Sequence, residues 1–172
     1  MELGLTFPLQ RFVKVKAPPC GAEADRRLCW DLHVIRLRGR KCLLAVHCRS
    51  RYAFVRYDVP PLQWMDIPEL FREGLRDSLT ASGFSEDPIR EYLRRAEDIH
   101  ITRTHGRREV AYLNRAWEDV LALDLCLDTA GQPQPLLDHA VNTRPSRCAG
   151  FNGLGLALER MAVTLEEGAI PL

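Results

Sequence analysis

The chain has 172 residues, 46% hydrophobic and 27% charged, with 24 Lys and Arg against 23 Asp and Glu for a formal net charge of +1. That size and balance suit one globular domain over residues 1–172 and exclude a disordered, collagen-like or low-complexity chain. No run of about 18 apolar residues occurs, and Met1-Glu2-Leu3-Gly4 has no basic stretch of a leader, so the expectation is a cytoplasmic protein that does not meet a membrane.

Leu3 to Phe7 reads as a short strand or as the entry to a helix, with Thr6 as cap and Pro8 in the first turn. Residues 17–28, with Pro18-Pro19 and Gly21, read as a loop. Three runs of β-forming residues follow closely: Trp30–Arg38, Lys41–Cys48 and Tyr52–Tyr57. Gaps this short permit only antiparallel hairpins, so a meander is expected. Asp66-Ile67-Pro68-Glu69 has the form of a capping box, and Ile67, Leu70, Phe71, Leu75 and Leu79 repeat at helical spacing up to Gly83. Ser85 heads a second helix carrying Ile89, Tyr92, Leu93 and Ala96. Ile99 to Arg103 alternates like a fourth strand, and a third helix is expected from about Arg107 to Leu127. After the connector Thr129–Pro135, residues 136–172 read as a C-terminal extension whose helix runs from about Leu154 to Glu167. The expected fold is α+β, an antiparallel meander of three to four strands packed against about four helices.

A first turn at Gly39-Arg40 would pair Leu37 with Cys42, Ile35 with Leu44 and His33 with Val46. With a second turn at Arg49-Ser50, Tyr57, Val55 and Ala53 join that face, which is apolar and suits a core. The opposite face then carries Arg36, Tyr52, Phe54 and Arg56, with Arg38 and Lys41 beside the turn. Aromatics interleaved with arginine on an open sheet can stack bases and neutralise phosphates, which makes these six residues a candidate nucleic-acid surface. The competing reading is that helices cover both faces. Charge favours the first third of the chain: residues 1–60 hold twelve basic and five acidic side chains, a local balance of +7.

Thr104, Arg107 and Arg108 form a second candidate, an anion site at a helix start, against the plainer reading of a polar turn capped by Thr104. His100 in Ile99-His100-Ile101-Thr102 offers one acid or base without a partner. The six cysteines include no C-x-x-C pair, and nothing directs secretion, so they read as reduced thiols. Cys148, between arginines, has the neighbours of an activated thiol but no surrounding signature. His33 with Cys48 and Cys42 lacks a fourth zinc ligand and reads as core. No catalytic residue, metal site or cofactor is assigned.

Several stretches together resemble an uncharacterised bacterial family of domains of unknown function. They are Leu3-Gly4-Leu5-Thr6, Trp30-Asp31-Leu32-His33, Arg40-Lys41-Cys42-Leu43-Leu44, the Phe71, Leu75, Leu79, Gly83 helix, Thr102 and Thr104 followed by Arg107-Arg108-Glu109-Val110, and Leu113-Asn114. The resemblance spans about residues 3–120. The chain departs from it where a glycine would precede the Leu-Asn pair and Ala111 or Tyr112 stands instead. It implies a small α+β domain and no particular activity. The residues themselves point to a non-enzymatic binding or regulatory module whose basic sheet face meets a protein or nucleic-acid partner. The alternative is a phosphate-handling enzyme using His100 and Arg107/Arg108. A homodimer has no signature in the sequence.

Overall fold

The computed structural model describes residues 1–148 and 150–169. Its centre is a mixed five-stranded sheet in the order β4-β3-β2-β1-β5. The strands are β1 (Glu2–Leu5), β2 (Cys29–Leu37), β3 (Arg40–His47), β4 (Ala53–Arg56) and β5 (His100–Arg103). Strands β2, β3 and β4 form the expected antiparallel meander. The sheet as a whole is not purely antiparallel, because β1 lies between β2 and β5 and runs parallel to both. Parallel neighbours need crossovers rather than tight turns. Residues 6–28 supply the first, including the short helix α1 (Phe7–Phe12).

The first hairpin turns at Arg38-Gly39, one residue earlier than expected, so Ile35 faces Cys42, His33 faces Leu44 and Leu37 faces Arg40. Both turn residues have positive φ, 46° and 80°, as a two-residue primed turn requires. Moving the turn by one residue shifts the pairing by two, so every side chain keeps its expected face. The second connection is a four-residue loop, Cys48–Arg51, closed by the His47 N–H on the Tyr52 carbonyl at 2.8 Å.

Among the described residues there are six α-helices, more than the four expected. The others are α2 (Ile67–Ala81), α3 (Glu86–Arg95), α4 (Arg107–Ala122), α5 (Pro135–Asn142) and α6 (Ala157–Ala169). None is long and apolar enough to cross a membrane. Helices cover both faces of the sheet. On one, Trp30, Leu32, Leu43, Tyr52 and Phe54 meet Phe71 and Leu75 of α2, Tyr92 of α3 and Met161 of α6. On the other, Ile35, Cys42, Leu44, Val55 and Tyr57 meet Leu113 and Val120 of α4 and Leu137 and Val141 of α5. Gly74 lets α2 lie close: a Cβ there would stand 2.6 Å from the Phe54 ring and 3.0 Å from Arg56.

Helix α5, absent from the sequence reading, closes the edge of the sheet. Asn142 Oδ1 accepts from the Ala53 N–H at 2.8 Å, its Nδ2 donates to the Ala53 carbonyl at 2.7 Å, and Asp138 Oδ1 accepts from the Val55 N–H at 2.9 Å. One helical turn separates the two side chains and two residues separate the strand groups, so the spacings match. An unpaired strand edge thereby gains partners.

Candidate functional site

The most concentrated polar chemistry lies where β1, β2 and the end of β5 meet under α4. Parallel pairing sets Glu2 beside Cys29 and Gly4 beside Asp31 on one face of the sheet. After Arg103 the chain turns through Thr104-His105-Gly106, and α4 begins at Arg107 with Gly106 as its N-cap. That turn lays the His105 ring back over Gly4. A Cβ on Gly4 would stand 2.2 Å from Asp31 Oδ1 and 2.9 Å from His105 Nδ1, so only glycine leaves room for the pair.

His105 is held from both sides. Nδ1 lies 2.6 Å from Asp31 Oδ1, Nε2 lies 3.2 Å from Glu2 Oε2, and the His105 backbone N–H donates to Asp31 at 3.2 Å. Cys48 Sγ is 3.5 Å from the same Nδ1. Glu2 is fixed in turn by the N–H groups of Ala22 at 2.7 Å and Glu23 at 3.0 Å, both on Oε1. The side chains of His105 and Asp31 are each 1% exposed. Burial alone would discharge the imidazole, but the bond to Asp31 and the nearby sulfurs of Cys29 and Cys48 push its pKa up to about 12. Burial raises Asp31, with His105 pulling against it. Burial also opposes the charge on Glu2, but the two backbone N–H groups and His105 hold it below the usual carboxylate range. The His105–Asp31 pair therefore keeps one proton at neutral pH. Burial pushes the Cys48 thiol up to about 12, so it is not a free thiolate nucleophile.

Above Cys48 opens a cleft of about 450 Å³ lined by Arg26, Arg27, Arg49 and Arg108, with Asp25 and Glu167. The arginines come from the turn Arg26–Leu28, the β3–β4 loop and the first turn of α4. The turn is anchored at the Arg27 carbonyl, which accepts from Tyr92 Oη at 2.5 Å and from His47 Nε2 at 3.0 Å. Arg27 pairs with Asp25 at 2.7 Å, and Arg49 pairs with Glu167. Arg108 reaches Glu109 at 3.2 Å with its side chain 59% exposed, and among the described residues the Arg26 side chain hydrogen-bonds only the Cys29 sulfur, at 4.0 Å. Donors of Arg26 and Arg108 remain available to a ligand. A larger groove of about 680 Å³ lies between α2 and α3, and three of its four arginines are engaged: Arg72 with the Ala96 and Glu97 carbonyls, Arg90 with Asp87 and Arg94 with Glu91, while Arg76 makes no ion pair among the described residues.

The expected open sheet face is not open. Tyr52 and Phe54 are 0% and 1% exposed inside the aromatic cluster around Trp30. Arg56 is buried under α2, bound to Asp77 and, at 2.9 Å, to Gln132. Helices cover the middle of this face because its strands are apolar there; the charged or polar residues on it are Arg36, Lys41, His47, Arg56 and Arg103. Arg36, Arg38 and Lys41 are exposed around the first hairpin, but Arg38 pairs with Asp124 at 3.0 Å and Lys41 lies over the Phe12 ring. The structure therefore does not bring the six residues onto one accessible surface. Of the anion candidates, Arg108 lines the cleft, Arg107 is exposed outside it, and Thr104 does not cap α4. His100 is exposed on the edge strand, and among the described residues it shares no hydrogen bond with the arginines of the cleft. Cys148 is buried, and burial raises its pKa despite four nearby arginines.

Sequence reasoning missed Glu2, Asp31 and His105 as a unit. Its available signals were Gly4 within a strand, which marks a close approach, and Asp31 between tryptophan and leucine in an apolar run. Both stretches carried the family resemblance. No curated protein matches the chain. A family model does match, over residues 2–155, and the chain belongs to that family, described as Domain of unknown function (DUF6933).

Proposed function

We propose that this protein is a non-catalytic binding module for a small phosphate-bearing molecule, held in the cleft above Cys48. The carrying observation is convergence: four arginines from three separate segments line one cleft against two carboxylates, Asp25 and Glu167. Guanidinium forks match phosphate oxygens in pairs, and such charge-assisted bonds are about twice as strong as neutral ones. Arg27 and Arg49 are positioned by their carboxylates, whereas Arg26 and Arg108 have donors to give. The cleft lies at the ends of β2 and β3, and a small ligand fits about 450 Å³ better than a polymer does.

Calorimetric titration of chelator-treated protein with inorganic phosphate and pyrophosphate tests this reading. Saturable binding of one anion per chain is expected, weakening with salt, with roughly tenfold loss or more in Arg26→Ala and in Arg108→Ala. Unchanged affinity in both variants would remove the cleft as the site.

A further inference from the structure

We infer that Asp31, Cys48 and His105 form a binding site for one thiophilic divalent cation of the zinc class. The inference goes beyond anion binding and does not depend on it. Three side chains offer an oxygen, a sulfur and a nitrogen within 4.8 Å of one another. Zinc bonds of about 2.3 Å to sulfur and about 2.0 Å to nitrogen, at tetrahedral angles, put those two atoms roughly 3.5 Å apart. Cys48 Sγ and His105 Nδ1 stand 3.5 Å apart. Asp31 Oδ1, now 2.6 Å from Nδ1, has to open by about 0.7 Å, within reach of rotating the carboxylate.

The surroundings fit a ligand set. A ligating histidine usually donates its other ring N–H to a carboxylate, which fixes tautomer and orientation. Glu2 Oε2 occupies that position 3.2 Å from Nε2, and Glu2 is itself held by two backbone N–H groups. Gly4 leaves the space beneath Asp31 and His105 clear.

Coordination uses the thiolate of Cys48, the bare Nδ1 of His105 and the carboxylate of Asp31, so any proton these atoms hold leaves for solvent as the dication enters. The fourth position falls to water or to an anion in the cleft that Cys48 lines.

The test is Co2+ titration of the reduced, chelator-treated full chain in phosphate-free buffer, read by absorption. One Co2+ per chain is expected, with a thiolate-to-cobalt charge-transfer band and the intense visible bands of a four-coordinate site, and Zn2+ should displace it. The charge-transfer band should vanish in Cys48→Ser and persist in Cys29→Ser and Cys42→Ser, with folding checked by circular dichroism. Glu2→Gln should keep the spectrum and weaken affinity about tenfold or more, which keeps the inference open to test if Cys48→Ser does not fold. Absence of a sulfur band in the wild type, its survival in a folded Cys48→Ser, or its dependence on Cys29 would overturn the inference. Because the anion titration uses metal-free protein and this one uses no phosphate, either reading can fail alone.

Discussion

Gly4 lies directly beneath Asp31: a Cβ on the glycine would come within 2.2 Å of the aspartate Oδ1, far inside contact distance. The buried polar group depends on that missing side chain. Gly4→Ala should push Asp31 off His105 and cost about 2 kcal/mol or more, combining overpacking with a weakened buried pair. Urea denaturation measures it. A loss below about 0.5 kcal/mol would mean that the pair can shift without penalty.

Asp138 is fully buried, and burial raises its pKa to about 8, against the Ser78 hydroxyl, the Val55 N–H and Arg56, which favour the charged form. The folded protein therefore keeps a proton that the unfolded chain releases above its ordinary value of 3.8. Stability from this group is full below that value and is lost as pH rises toward 8. Asp138→Asn mimics the protonated acid, so its melting temperature should fall less than that of the wild type between pH 5 and pH 8. Parallel curves would contradict the assignment.

His47 behaves in the opposite sense. Burial depresses its pKa from 6.5 to about 4. Its Nε2–H donates to the Arg27 carbonyl, and Nδ1 accepts from the Ser50 N–H at 3.1 Å. The unfolded chain takes up a proton first as pH falls, so this contribution is present above 6.5 and is lost toward 4. An NMR titration should find the His47 ring neutral at pH 5.5. A ring already protonated at that pH would contradict the geometry.

Asn142 completes the edge of β4 with two hydrogen bonds to Ala53. Asn142→Ala should cost about 2–3 kcal/mol, since it leaves a buried donor and acceptor unpaired. The Ala53 amide should then exchange with deuterium faster than amides of β2. Unchanged protection would show that α5 is not what seals the edge.

The meander, α2, α3 and β5 were legible because each rests on a local period or cap, such as the Asp66 side chain accepting from the Glu69 N–H at 3.0 Å. Even a misplaced first turn left the faces correct. Strand β1, inside the sheet between β2 and β5, was not decided, because the four residues Glu2 to Leu5 are too few to set a period and parallel partners fix their conformation. The polar cluster was illegible for a related reason. Asp31 and His105 are 74 residues apart, Cys48 and His105 are 57 apart, and no spacing rule joins them. Arg56 and Phe54 misled because strand alternation says which residues share a face but not whether a helix covers it.

The anion cleft is tested most directly by following arginine side-chain Nε–H signals by NMR while pyrophosphate is added to the metal-free chain. The account predicts that Arg26 and Arg108 shift first and saturably, while Arg36 and Arg90, exposed elsewhere, stay in place. Uniform small shifts of all exposed arginines, or saturation at Arg36 with Arg26 and Arg108 unmoved, would contradict it.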